Sequence, residues 1–121
     1  MKLINRSALV VRPKQPYVSW VNNLDSQVSG LEQELTLEQH LREGRVYLID
    51  EQPQLGELND ILKDHWQMMF ENELGGWDEF ADHWPTPLSQ TQFESWFDVQ
   101  PQLMVFDLRA EPLMVADISE L

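Results

Sequence analysis

The chain has 121 residues, a length typical of one domain, and a formal net charge of −13 from 21 acidic and 8 basic residues. It has no cysteine, which excludes disulfides, thiolate metal sites and cysteine nucleophiles. The missing cysteines fit a cytoplasmic protein, and no stretch approaches the roughly 20 apolar residues of a membrane span. Because the negative charge repels phosphates, we expect the protein to bind neither membranes nor nucleic acid.

The first predicted elements are a strand and a helix. Residues 8–11 form a β-branched apolar run, which Pro13 ends because proline has no N–H to donate. Pro16 suits the first turn of a helix. Residues with helical spacing follow and form one apolar stripe: Tyr17, Trp20, Val21 and Leu24. The polar segment 25–34 is predicted to be a loop.

A short helix and a second strand come next. Thr36 and Gln39 have the spacing of a capping box, in which each side chain bonds the backbone N–H of the other residue. The helix that they start should end at Gly44. The apolar run 46–49 is predicted to be the second strand.

The longest predicted helix covers residues 55–74 and ends at Gly75 and Gly76. A second capping box at Thr91–Glu94 predicts another helix. After it, residues 103–106 form the third predicted strand, and 113–115 form a short fourth strand or an extended tail.

The element order is therefore β-α-α-β-α-α-α-β. The strands are continuous apolar runs, a pattern typical of strands that are buried on both faces. We expect an α/β or α+β fold with a three- to four-stranded, largely parallel or mixed sheet and helices packed on it. Residues 1–108 should form the domain and 109–121 a C-terminal extension.

The charge is distributed unevenly. Between Lys63 and Arg109 lie 45 residues that include no lysine and no arginine. Within them, segment 71–84 is acidic and falls partly between predicted helices, so it is a candidate surface for a basic protein partner. The candidate residues are Trp77, Asp78, Glu79, Asp82 and Trp84. If the two tryptophans are buried, they instead close the edge of the sheet.

A second candidate site follows from the expected parallel strands, whose carboxyl ends would meet at one edge. Charged residues follow each strand: Arg12 and Lys14, then Asp50 and Glu51, then Asp107 and Arg109. Arg12 and Lys14, next to the N-terminus of the first helix, could bind an anion. The alternative is an internal ion-pair network between Arg12 and Asp50 or Asp107.

The common catalytic motifs are missing: there is no phosphate-binding loop, GxGxxG, GxSxG or HExxH. Asp64 with His65, and Asp82 with His83, could supply ligands to a divalent cation, but their spacing matches no standard pattern. We expect no metal site and no cofactor, and the sequence identifies no catalytic residue, which favours a protein that is not an enzyme without excluding an unfamiliar one.

A resemblance to a known family rests on six stretches of sequence: 5–17, 46–49, 73–77, Trp84-Pro85, Trp96-Phe97 and 105–108. Together they are similar to a family of small, acidic, uncharacterised bacterial proteins, up to about Leu108. The resemblance implies a bacterial origin. Because that family has no assigned function, it implies no activity and no functional residue.

The first functional interpretation is a small acidic interaction or regulatory protein that binds a basic partner through segment 71–84. One alternative is an anion-binding module or enzyme that uses Arg12 and Lys14. Another is a homodimeric structural protein without a ligand.

Overall fold

The structure is a computed structural model that describes residues 1–54 and 56–118. These residues form an α+β fold with two antiparallel sheets, one of two strands and one of three. The strands are β1 (Lys2–Ile4), β2 (Ser7–Pro13), β3 (Arg45–Ile49), β4 (Phe97–Gln102) and β5 (Val105–Asp107). β1 pairs with β5, and β2 lies between β3 and β4.

Helices connect the strands and cover one face of the larger sheet. Their bounds in the described residues are α1 (Gln15–Asn23), α2 (Ser26–Ser29), α3 (Leu37–Arg42), α4 (Leu58–Leu62), α5 (Trp66–Gly75) and α6 (Gln90–Trp96).

The expectation of a parallel or mixed sheet is wrong, because β2 is antiparallel to both of its neighbours. The continuous apolar run of β3 does not reflect burial on both faces. On β3, Ile49 faces the helices and is buried, whereas Val46 and Leu48 face away from them and are exposed. These outward residues are apolar although no described helix covers them. The strand therefore lacks the alternation of apolar and polar residues that normally marks an antiparallel strand.

The ends of the larger sheet differ from the prediction as well. The predicted strand 103–106 is replaced by β4, which ends at Gln102, and by β5, which belongs to the other sheet. Pro101 lies inside β4, where it is tolerated because β4 is an edge strand. Residues 113–115 form no strand, and the last residues of the predicted extension, 119–121, lie outside the described part of the chain.

The predicted helix 55–74 is two helices, α4 and α5, with a turn at residues 63–65 between them. Its first predicted residue, Leu55, lies outside the described residues. The turn contains neither proline nor glycine, so Asp64 and His65, which are weak helix formers, give the sole sequence signal for it. A second local correction is α2, which lies in the predicted loop 25–34.

The helix caps follow local sequence closely. Thr36 Oγ1 accepts a hydrogen bond from the Gln39 N–H (3.1 Å), and Gln39 Oε1 accepts one from the Thr36 N–H (2.8 Å), which confirms the first capping box. The second cap is shifted by two residues, because Ser89 rather than Thr91 accepts the N–H of Gln92.

The core lies between the helices and the covered face of the larger sheet. Its centre is an aromatic cluster in which Phe70 of α5 lies 5.5 Å from Phe93 of α6, measured between ring centroids. Phe97, at the start of β4, lies 5.2 Å from Phe93 and 6.0 Å from Phe70. This cluster fixes α5 and α6, and therefore the acidic segment between them, against the sheet.

Candidate functional site

The acidic segment begins on α5 and continues into a loop, residues 77–84, which we call the acidic loop. Asp78 is buried inside this loop. Its carboxylate accepts the backbone N–H of His83 at 2.7 Å, and its backbone carbonyl accepts the indole N–H of Trp84 at 3.0 Å. Asp78 therefore ties the two ends of the loop together.

The two tryptophans of the acidic loop are half-buried. Trp77 packs against the core with its ring centroid 5.7 Å from that of His40. Trp84 also packs against the core, next to the carbonyl of His83, which accepts the indole N–H of Trp20 at 3.0 Å. Trp77, Asp78 and Trp84 therefore shape the loop, while the other two predicted residues, Glu79 and Asp82, lie on its surface.

Phe80, at the tip of the acidic loop, is a residue that the sequence analysis missed. Its side chain is 79% exposed and stands between Glu79 and Asp82. The next residue, Ala81, has φ of 63°, a left-handed conformation that costs an alanine roughly 1 kcal/mol. The signal for Phe80 in the sequence is that it belongs to no helical stripe and has acidic residues on both sides.

A polar network lies behind the acidic loop, where α5 meets the sheet. Its centre is Glu73, which is buried and accepts a hydrogen bond from the hydroxyl of Tyr47. The Tyr17 hydroxyl donates to the backbone carbonyl of Glu73 at 2.8 Å, and Arg45 Nε lies 3.6 Å from the Glu73 carboxylate. Asn72 donates to the Tyr47 hydroxyl at 2.8 Å.

Burial dominates the electrostatics of this network. It raises the pKa of Glu73, although the Tyr47 hydrogen bond and the Arg45 guanidinium act in the opposite direction. Burial and the nearby Glu73 carboxylate raise the pKa values of Tyr17 and Tyr47. His40, buried beside Tyr17, has a lowered pKa because burial disfavours its cationic form. Burial therefore disfavours the charged forms of these four side chains. The hydrogen bond between Tyr47 and Glu73 joins β3 to α5.

The six strand-end residues of the predicted anion site do not converge. Because β2 and β3 are antiparallel, Asp50 follows Ile49 at the Ser7 end of β2, opposite to the end that carries Arg12. Asp107 belongs to the other sheet, where its carboxylate lies 3.4 Å from Lys2 Nζ.

The predicted internal ion-pair network is wrong for the same reason. Among the described residues Arg12 forms no ion pair with Asp50 or Asp107, and it stands opposite Asp98 across β2 and β4. Lys14 Nζ donates to the backbone carbonyl of Glu94 at 3.0 Å, so it is already engaged. Arg12 and Lys14 stay a candidate anion site without the other four residues.

The histidine and aspartate pairs that were considered for metal binding are separated in the structure. His65 lines a surface groove, and His83 Nδ1 lies 3.5 Å from the carboxylate of Asp78. Within residues 1–54 and 56–118, no three His, Asp or Glu side chains form a group that could hold a metal ion. In the same residues, no helix has both the length and the apolar character needed to cross a membrane.

Comparisons of the chain with protein-family models, with curated proteins and with solved structures found no match. The resemblance to a bacterial family stays a prediction.

Proposed function

We propose that this chain is a small interaction or regulatory protein of the bacterial cytoplasm that binds a basic protein partner through its acidic loop. The observation that carries the proposal is the exposed ring of Phe80, held out between Glu79 and Asp82. An exposed aromatic side chain with a charged rim is the composition of a protein-binding hot spot.

The loop is suited to this role because it is pre-organised. The buried carboxylate of Asp78 and the indole hydrogen bonds of Trp20 and Trp84 fix its backbone before any partner binds. A fixed loop loses less conformational entropy on binding than a flexible one. The left-handed backbone of Ala81 is a local strain of the kind that concentrates at recognition sites.

Charge favours a basic partner. The chain carries −13 overall, and its four bases before residue 25 leave −17 for the rest. A field of this sign accelerates association with a cationic protein and makes the complex sensitive to salt.

The experiment is affinity capture from a bacterial lysate with wild-type protein, Phe80→Ala and the control Met114→Ala. Met114 is also a fully exposed apolar residue, but it lies in the C-terminal segment, far along the chain from the loop. The proposal requires a basic protein that wild type and Met114→Ala retain, that Phe80→Ala loses, and that elutes when salt is raised. If every captured protein is retained equally by Phe80→Ala, the proposal is wrong.

Once that partner is identified, its affinity should be measured directly by calorimetry. Phe80→Ala should weaken binding at least about tenfold, because truncation of a central aromatic anchor removes a large share of the binding energy. Glu79→Gln should mainly reduce the association rate and its dependence on salt, as expected of a charge at the rim.

A further inference from the structure

A second surface of the molecule is independent of the acidic loop. It is a groove of about 540 Å³ between β3 and α5, within the size range of ligand-binding clefts. Its floor is mainly apolar, and the methionines among its lining residues have flexible side chains that adapt to different partners. The apolar lining residues are Leu48, Ile49, Met68, Met69 and Ile118.

The groove runs beside the edge of the larger sheet. β3 pairs with β2 alone among the described strands, so no described strand covers its outer edge. This edge has none of the lysines or prolines that usually prevent pairing. Instead Val46 and Leu48, 61% and 49% exposed, stand next to each other on the open face of the strand.

The charges around this edge are mostly negative. Glu71 lines the groove, and Asp50 and Glu51 directly follow β3. The cation at the other end of the strand, Arg45, is engaged by the carboxylate of Glu73. A basic segment would meet three carboxylates here, whereas an acidic segment would be repelled.

The chain itself shows what the groove accepts. Residues 108–118 run without helix or strand from the end of β5, and Ile118 of this segment lies against the groove. An apolar side chain on irregular backbone therefore fits beside Met68 and Leu48.

We propose that β3 is a docking edge for an extended segment of a partner protein in which apolar and basic residues alternate. The segment adds a fourth strand to the larger sheet, and its backbone pairs with β3. Its apolar side chains pack beside Val46 and Leu48, and the alternate basic side chains extend past the apolar floor of the groove to Glu71.

The test uses the full chain and a labelled peptide of about six residues that alternates Val and Lys, with a Val and Glu peptide for comparison. Wild type should bind the Val–Lys peptide, with a fluorescence anisotropy change, and should not bind the Val–Glu peptide. Leu48→Lys should weaken binding at least about tenfold, because it replaces the apolar contact for the peptide's Val side chains and adds a positive charge that repels its lysines. Met104→Lys adds the same charge at an exposed apolar site just after β4, the opposite edge strand of the larger sheet, and should leave binding unchanged.

Glu71→Lys provides the second variant, since it alters a partly exposed side chain that the core does not need. It should abolish the preference for the Val–Lys peptide. Equal binding of both peptides by wild type, or unchanged binding by Leu48→Lys, would overturn the proposal. Light scattering that shows a dimer for wild type and a monomer for Leu48→Lys would also overturn the proposal, because a second copy of the chain would then occupy the edge. Phe80→Ala should bind the peptide as wild type does. The proposal for β3 can therefore be wrong while the proposal for the acidic loop holds, and the reverse.

Discussion

The hydroxyl of Tyr47 donates a hydrogen bond to the carboxylate of Glu73 and so joins the edge strand β3 to helix α5. Tyr47 lines the groove between β3 and α5, and α5, which carries Glu73, leads directly into the acidic loop. A single buried contact therefore holds in place the two surfaces for which we propose binding.

Glu73→Gln should make the protein more stable at neutral pH. The raised pKa of Glu73 means that the folded state holds its proton more tightly than the unfolded chain does. Well below the ordinary carboxyl pKa of 4.5, Glu73 is protonated in both the folded and the unfolded state, so its ionisation does not affect stability. As pH rises above that value, the unfolded chain ionises first and stability falls until the folded pKa is passed.

Thermal unfolding of wild type and Glu73→Gln across the pH range measures this effect. The melting temperature of Glu73→Gln should exceed that of wild type at pH 7, and the difference should vanish in acid. The side-chain oxygen of Gln can still accept the Tyr47 hydrogen bond. Glu71→Gln, on the same helix, is the control and should change stability by no more than about 0.5 kcal/mol. A difference that does not change with pH would contradict the burial argument.

Asp78→Ala should destabilise the fold by about 1–3 kcal/mol, because it removes the buried carboxylate that accepts the N–H of His83. Asp82→Ala removes the same charge from an exposed position of the same loop and should cost less than about 0.5 kcal/mol. Chemical denaturation of the two variants gives both values. Equal losses of unfolding free energy in the two variants would mean that the charge of the loop, and not the Asp78 hydrogen bond, determines its contribution to stability.

Phe70→Ala and Phe80→Ala make the same chemical change in opposite surroundings. Phe70 is fully buried in the aromatic cluster, so its loss should cost about 3–5 kcal/mol. Phe80 is mostly exposed, so its loss should change the free energy of unfolding by about 0.5 kcal/mol at most. Urea titrations of both variants test this, and a large loss for Phe80→Ala would show that its ring packs on the protein in solution.

Ala81→Gly should stabilise the protein by about 0.5–1 kcal/mol. Glycine adopts the observed φ of 63° without the steric cost that alanine bears, and this gain exceeds the extra entropy of the unfolded chain. Ala110→Gly, at an exposed position with ordinary backbone angles, should be neutral or slightly destabilising. If Ala81→Gly destabilises the protein, the loop does not hold the left-handed conformation in solution.

The features that sequence predicted well are local ones. Thr36 and Gln39 satisfy each other within one helical turn, and the positions of α1 and β3 follow from short apolar patterns. Strand direction was missed because it depends on contacts between distant residues, and the apolar Val46 and Leu48 hid the alternation of an antiparallel strand. β4 was missed because polar residues and Pro101 interrupt it, which an edge strand tolerates.

The candidate site was predicted in outline. The acidic segment between predicted helices is visible in the sequence, and Glu79 and Asp82 lie on its surface. The roles of its aromatic residues could not be read in the same way, because the burial of Trp77 and Trp84 depends on how α5 and α6 pack against the sheet. The β3 groove was not predicted, since it exists where residues distant in sequence meet.

The pairing of Lys2 with Asp107 has a consequence for how the protein is made. β1 and β2 leave the ribosome well before their partners β5 and β4, which follow α6 in the chain. Both sheets therefore stay incomplete until the segment after α6 has emerged. During that interval the apolar residues of β2 have no partner on one side, which exposes the nascent protein to aggregation, and its negative charge opposes this.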